Sequence, residues 1–503
     1  MTNPLYDQLF GIHAGKDTPF LYLPDGTTLT HAAFLARASR FANALTHLGL
    51  HPGDRVAVQI DKSADALAVY AACAQTGLVF LPLNTAYTPH EVDYFLSNSG
   101  AGLLVAAPPK AEALAPIAAK SQARLETLDD AGGGTLAALA ATMPDTAATS
   151  PRTDSDLAAI LYTSGTTGRS KGAMLSQRNL LSNAAALCDL WQFTDRDVLL
   201  HALPIFHTHG LFVATNITLL AGGGMVFLPK LDIDALIEHM PRSTAMMGVP
   251  TFYTRLLDDP RFDRALTQHM RLFVSGSAPL LADTHHQFEE RTGHRILERY
   301  GMTETNMNTS NPYDGDRRPG TVGRALPGVE VKVCDPSGRE LPRGEIGVLE
   351  VRGDNVFMGY WQMPEKTAEE LRPTRFFITG DLATMGDDGY VTIVGRAKDL
   401  IIAGGYNIYP KEIEEALDDL SGVLESAVIG VPHPDLGEAV VALVVPEAGQ
   451  TLDPNDLSAA LVDRLARFKQ PRRIEIVENL PRNTMGKVQK AELRKIYADS
   501  FKG

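Results

Sequence analysis

Cysteine is scarce in this chain: Cys73, Cys188 and Cys334 are the only three in 503 residues, and they are scattered singly. That excludes a disulfide scaffold and any paired-cysteine metal site, and it points to reduced thiols in a cytoplasmic protein. Positive charge is also in deficit, with 46 Lys and Arg against 60 Asp and Glu, a net charge of −14. Such a balance argues against a nucleic-acid surface and for a soluble protein. It also means that an anionic substrate must be drawn in by local clusters of cations. Met1 to Phe10 lack a basic segment followed by an apolar one, so no secretory signal is expected, and the last residues, Ser500 to Gly503, are not a peroxisomal address. Long apolar runs are missing too. The uncharged stretch Gly210 to Leu228 approaches spanning length, but Asn216 and Gly222 to Gly224 divide it into a buried helix and a strand, Met225 to Leu228. No membrane span is expected. There is no internal repeat and no low-complexity tract.

What the chain has is core-forming material. Its 44% hydrophobic content over 503 residues predicts more than one domain. The first third alternates helix and strand: a helix over Thr30 to Leu48, a strand over Arg55 to Ile60, a helix over Ala64 to Gly77, and a strand from Leu78 to Leu81. This alternation predicts a largely parallel sheet covered by helices. A second α/β stretch follows over 156–318. Short β runs separated by Gly and Pro turns, Val329 to Val333, Gly347 to Val351 and Tyr390 to Val394, then predict a small β-barrel over 319–397. The final hundred residues return to α+β, with strands Leu400 to Ala403, Glu425 to Val431 and Val440 to Val445 and helices Lys411 to Leu420 and Asp456 to Arg467.

The densest functional signal is Tyr162-Thr-Ser-Gly-Thr-Thr-Gly-Arg-Ser-Lys-Gly172, after the apolar run Leu157 to Leu161. Glycine lets backbone approach an anion closely, and successive N–H groups, hydroxyls and a lysine can wrap phosphate oxygens. The spacing is not that of a Walker A loop, because Gly172 rather than Ser or Thr follows Lys171.

Four more motifs follow in order: Tyr300-Gly-Met-Thr-Glu304, Thr379-Gly-Asp381, Gly395-Arg-Ala-Lys-Asp399 and Pro481-Arg-Asn-Thr-Met-Gly-Lys487. Together with the first, they make the chain resemble the adenylate-forming superfamily of acyl-CoA synthetases, peptide-synthetase adenylation domains and luciferases, over essentially its whole length. The resemblance implies a large N-terminal domain, 1–397, made of two doubly wound α/β subdomains (1–155 and 156–318) plus the barrel. A hinge would join it to a mobile α+β C-terminal domain, 398–503. It also implies a two-step reaction using ATP, CoA and Mg²⁺: a carboxylate attacks the α-phosphate, and the CoA thiol then displaces AMP. Two anions must meet in the first step, so charge neutralisation, not a nucleophilic side chain, is what the site must supply.

By the same resemblance, Thr163, Ser164, Gly165, Thr166, Thr167, Gly168 and Lys171 hold the β- and γ-phosphates. Gly276, Ser277, Ala278, Tyr300, Gly301 and Met302 line the adenine slot, with Tyr300 stacked on the base. Thr303 contacts the α-phosphate, Glu304 helps hold Mg²⁺, Asp381 accepts from the ribose hydroxyls, and Arg396 reaches ribose or phosphate. Lys487, Thr303 and His207 are the candidate catalytic residues, with Lys487 between carboxylate and α-phosphate. Lys398 marks the hinge, and Gly404, Gly405 and Tyr406 border the tunnel for the CoA arm. A basic cluster at Arg467, Lys469, Arg472 and Arg473 either meets CoA phosphates or is a solvated face.

Within the superfamily the chain looks most like malonyl-CoA synthetases. Arg299 directly precedes the Tyr300 motif, and Arg255 lies on a segment expected to line the same pocket. Two arginines imply an anion, and the planar guanidinium fork suits a carboxylate. His207, Thr208, Ser277 and Met307 would bound a short cavity, sized for malonate with room at most for the branch of methylmalonate. His201 and His209 are assigned no role. A monocarboxylate ligase and an enzyme loading a carrier protein remain alternatives, although no carrier domain is covalently linked after Gly503.

Overall fold

A computed structural model describes residues 2–163, 170–403, 406–462, 464–483 and 486–501. By contacts the chain divides into two units, residues 1–330 with 351–377, and residues 331–350 with 378–503.

The first unit is built on two large sheets. A seven-stranded sheet runs in the order Gly359–Tyr360, Lys171–Ser176, Leu157–Thr163, Val79–Pro82, Arg55–Gln59, Leu103–Ala106 and Arg124–Thr127. Its strands from Leu157–Thr163 onward are parallel, and Lys171–Ser176 returns antiparallel. The expected helix after Arg55–Gln59 spans Ala64–Thr76, and all 13 of its residues are buried. Ser63 caps its start by accepting from the Ala66 N–H, and Gly77, at φ 73°, ends it. A helix buried all round needs small residues, and six alanines between Ala64 and Ala74 supply them. The second, nine-stranded sheet carries the strands Val198–His201, Ala245–Gly248, Leu272–Ser275 and Leu297–Met302 near its middle.

The uncharged stretch expected to break into helix and strand does so. A wide-turned π-helix, His209–Thr215, runs into the α-helix Asn216–Ala221, Gly222 closes it at φ 77°, and the strand Gly224–Phe227 follows. Among the described residues, no helix is long and apolar enough to cross a membrane.

The second unit carries the body of a four-stranded sheet, Val329–Cys334, Gly347–Gly353, Phe377–Met385 and Val391–Arg396, where the β runs were expected. It also holds a five-stranded sheet centred on the long hairpin Val423–His433 and Gly437–Pro446. Strand alternation sorts that hairpin's side chains. Val428, Val440, Ala442 and Val444 face one core, closed by Ile413, Leu417 and Leu457 from helices Pro410–Asp418 and Pro454–Leu461. Ile429, Val431, Val441 and Leu443 face the other, closed by Leu480 and Leu493. The cysteines are all free, Cys73 and Cys334 buried and Cys188 half-buried.

Candidate active site

Of the glycine-rich run, Ser164, Gly165, Thr166, Thr167 and Gly168 lie outside the described residues, as do Gly404 and Gly405. Its two ends are described: Thr163 and Lys171 face each other across the antiparallel pair. The Lys171 ammonium donates to both oxygens of Glu370, at 3.0 and 3.2 Å, and lies 4.1 Å from the centre of the Tyr360 ring. Tyr360 comes from the two-residue strand that pairs with Lys171–Ser176, and Glu370 from the last position of the helix Pro364–Glu370. The Tyr360 hydroxyl stands 2.6 Å from Glu370 Oε2 and 2.9 Å from Glu304 Oε1, so its single hydrogen is shared between two carboxylates. Burial, then the Glu304 and Glu370 charges, push its pKa far above the ordinary phenol value. At Glu370, burial raises the carboxyl pKa, but the Tyr360 hydroxyl and the Lys171 ammonium outweigh it and hold the group ionised. Two converging carboxylates, Glu304 only 6% exposed, are hard oxygen donors. That set fits Mg²⁺, which takes one or two carboxylates and completes its shell with phosphates and water. Neither Tyr360 nor Glu370 stood out in the sequence, because nothing local marks a pair 199 residues apart.

The candidate acid pocket centres on Arg299. It sits on the strand Leu297–Met302, opposite Ser310, and is 4% exposed. Its Nε and Nη2 find no hydrogen-bond partner among the described residues. Desolvation pulls the guanidinium pKa down to about 9, with Tyr253 acting weakly in the opposite sense. Gly276 is what makes room for it: a Cβ at that position would overlap the guanidinium carbon. Ser277, next in the chain, is held at φ 73° with its hydroxyl 3.2 Å from His209 Nδ1. A non-glycine residue in the left-handed region is strained backbone, retained here beside the candidate site. Nearby in the chain, three more buried polar atoms find no partner among the described residues: His207 Nε2, Thr208 Oγ1 and His209 Nε2. Burial lowers the pKa of His207 to about 4 and that of His209 well below its ordinary value, Arg299 adding to the latter, so both imidazoles are neutral.

His207 and Thr303 line one small cleft together with Tyr162 and Phe206. Met307 is buried, and Gly301 lies against both its methyl carbon and the Asn306 carbonyl, at the register shift between Tyr300 and Gly301. Tyr300, Met302 and Ala278 are half-buried on the same unit.

Arg255 is the expected pocket residue that the structure does not bring in. It lies exposed on the helix Pro250–Leu257, whose buried face is Phe252, Tyr253, Leu256 and Leu257. With 3.6 residues per turn, position 255 falls on the opposite side. Of the two arginines expected there, Arg299 is buried and Arg255 is not.

A second cluster belongs to the other unit. Asp381, 3% exposed, pairs with Arg396 Nε at 2.6 Å across the register of their two strands. Thr379 anchors the turn, its hydroxyl donating to the Leu349 carbonyl at 2.8 Å and accepting from the Asp381 N–H at 3.0 Å. Lys487, in the loop after Pro481, is brought within electrostatic reach of Arg396, Asp381, Lys398 and Asp399. Crowding by protein lowers its pKa to about 8, Arg396 and Lys398 pushing the same way and Asp381 and Asp399 opposing. Its side chain still meets solvent, which screens part of that effect. Arg494 from the last helix donates to Asp399 at 2.7 Å, a contact the sequence had not suggested. Tyr406 is exposed and stacks on Phe468 at 4.6 Å.

A lysine paired with a carboxylate beside the glycine-rich run, two converging glutamates, a buried arginine and a buried aspartate–arginine pair are the side-chain clusters the structure assembles. Comparison gives the class its name: residues 12–361 match the AMP-binding enzyme family and residues 412–487 its C-terminal domain. The chain belongs to the AMP-binding enzyme family, and the expected two-part α/β architecture is borne out. Among solved structures it is similar to ATP-bound MatB from Rhodopseudomonas palustris, 56% identical over all of both chains, with a TM-score of 0.98. It is 38% identical over 476 residues to a feruloyl-CoA synthase from Amycolatopsis sp, covering 94% of each chain. A malonate–CoA ligase from Arabidopsis thaliana is 35% identical, with 88% of this chain and 78% of that one covered.

Proposed function

We propose that the protein is an ATP-dependent malonate–CoA ligase, which forms malonyl-CoA, AMP and pyrophosphate through a malonyl-adenylate. One observation carries the choice of acid: a buried guanidinium with two nitrogens unpartnered, and no carboxylate against it, among the described residues. An uncompensated buried cation is costly to keep, and an anionic substrate group removes the cost. The likeness to the Arabidopsis malonate–CoA ligase supports the same acid.

In this reading Arg299 takes the far carboxylate of malonate. His207, Thr208, Ser277 and Met307 set the pocket length, which also admits the methyl branch of methylmalonate. The near carboxylate then faces Thr303, which contacts the α-phosphate. Lys171 exchanges Glu370 for the β- and γ-phosphates, joined by Thr163 and by Ser164 to Gly168. Tyr300, Gly301, Met302, Gly276, Ser277 and Ala278 hold adenine, while Asp381 and Arg396 hold the ribose. Lys487 neutralises the charge that builds between carboxylate and α-phosphate as the new C–O–P linkage forms and pyrophosphate leaves. Mg²⁺ on Glu304 would offset the charge of the phosphates. The body 398–503 turns about Lys398 between half-reactions, withdrawing Lys487 and bringing Gly404, Gly405 and Tyr406 to the CoA arm. The free thiols suit a cytoplasmic setting.

The experiment is a panel of mono- and dicarboxylic acids of two to six carbons, scored for AMP release with ATP, Mg²⁺ and CoA. Malonate should lead, with methylmalonate next. Leadership by an aromatic acid such as ferulate, or by a monocarboxylate, refutes the assignment.

A further inference from the structure

Lys62 follows the strand Arg55–Gln59 and directly precedes the helix-capping Ser63. It is buried, at 8% exposure, yet no carboxylate touches it among the described residues. Its ammonium donates to His201 Nδ1 at 2.9 Å, to the His201 carbonyl at 2.8 Å and to the Leu203 carbonyl at 3.0 Å. Nζ also lies 4.3 Å from the centre of the Phe227 ring. Burial pulls the lysine pKa well down, but three acceptors are one more than a neutral amine can serve, which favours the charged form. The Gly210 carbonyl, 2.9 Å from His201 Nε2, only accepts, so the ring hydrogen sits on Nε2 and Nδ1 is left to accept from Lys62. Lys62 and His201 thereby fasten both ends of one segment, Leu203 at its start and Gly210 at its close. His207, Thr208 and His209 lie between those anchors. His209 in turn feels Arg299 on one side and His201 on the other.

We propose that Lys62 is a positioning residue that selects for doubly charged acids: through His201 it fixes the loop that carries His207 and Thr208, and like Arg299 it is a buried cation with no carboxylate against it among the described residues. The inference rests on the malonate reading and deepens it. A dianion gains from both charges, the nearer by contact and the farther through a poorly screened interior; a monoanion bound only by its reacting carboxylate gains far less.

The test compares full-length wild type, Lys62→Met and Lys62→Arg in acid-dependent ATP–pyrophosphate exchange with malonate and with propionate, measuring the KM of ATP in parallel. Loss of the charge in Lys62→Met should lower the malonate-to-propionate ratio of kcat/KM by about tenfold or more, the size of effect a partly screened buried charge exerts. The KM of ATP should stay within about twofold, because Lys62 touches no nucleotide group. Lys62→Arg, which keeps the charge, should keep the ratio. Lys62→Gln, which keeps a donor against the loop without the charge, gives the same reading if the Met variant does not fold. An unchanged ratio in the uncharged variants overturns the proposal, as does a rise in the KM of ATP in step with that of malonate. Wild-type indifference between the two acids overturns the malonate reading, and this one with it.

Discussion

Removing the Arg299 charge should separate stability from function. In the free enzyme the guanidinium is 4% exposed with two nitrogens unpaired, so it carries the desolvation cost of a cation without the return. Unsatisfied buried donors cost about 1–3 kcal/mol each, more when charged. Arg299→Met fills similar space with an apolar chain and recovers part of that cost, so the variant should melt at the wild-type temperature or a few degrees above it. Function should move the other way. Losing one partner of a buried charge pair costs about 2–5 kcal/mol, on the order of 30-fold to several thousand-fold in kcat/KM for malonate. Propionate, with no second carboxylate, should lose little. The assay is thermal unfolding without ligand, set beside malonate- and propionate-dependent pyrophosphate exchange. A variant that melts several degrees lower while keeping malonate use within threefold would show that Arg299 is a structural cation, and the pocket would need another explanation.

Gly276→Ala should mimic that loss more mildly, because its Cβ would displace the guanidinium; malonate KM should rise while that of ATP changes less, read from the same exchange assay. Lys171→Met should weaken ATP binding by about tenfold or more through loss of a half-buried charge contact. Glu370→Gln should tighten binding of Mg²⁺-free ATP, because phosphate no longer competes with a carboxylate held 3.0 Å from Lys171; calorimetric titration with ATP in the absence of Mg²⁺ reads both, and equal effects of the same sign would refute the exchange. Lys487→Ala should abolish pyrophosphate exchange while leaving thioester formation from supplied malonyl-adenylate largely intact. The Lys487 pKa, lowered to about 8, sets a pH limb: the ammonium is lost as pH rises through that value, so kcat/KM for ATP should fall on the alkaline side. Lys487→Arg should move that limb upward.

The parts of this architecture that were legible in sequence are those specified locally. Ser63 and Gly77 bracket a small-residue helix, and the end expected at Gly77 lies within a residue of its last position, Thr76. The hairpin strands expected over Glu425 to Val431 and Val440 to Val445 are longer, Val423–His433 and Gly437–Pro446, because mutual pairing extends a strand beyond its most apolar stretch. The helix expected over Asp456 to Arg467 is Pro454–Leu461, although Leu465, one turn further on, still packs in the same core. Arg299 was legible because it adjoins a motif. Arg255 was misplaced because proximity in sequence was weighed over helical phase, which Phe252, Tyr253 and Leu256 already announced. What sequence could not offer was long-range pairing. Lys62 meets His201 across 139 residues, and Lys171 meets Glu370 across 199. Each is an ordinary residue in its own neighbourhood, and only the fold turns it into part of a site.

The most direct test of the far-carboxylate grip is to compare malonate with monomethyl malonate, which keeps the reacting carboxylate and nearly the same length but neutralises the other end. Steady-state kcat/KM for AMP release with ATP, Mg²⁺ and CoA should favour malonate by at least about 30-fold, the lower bound for an unpaired buried charge. Comparable rates for the two acids would contradict the account.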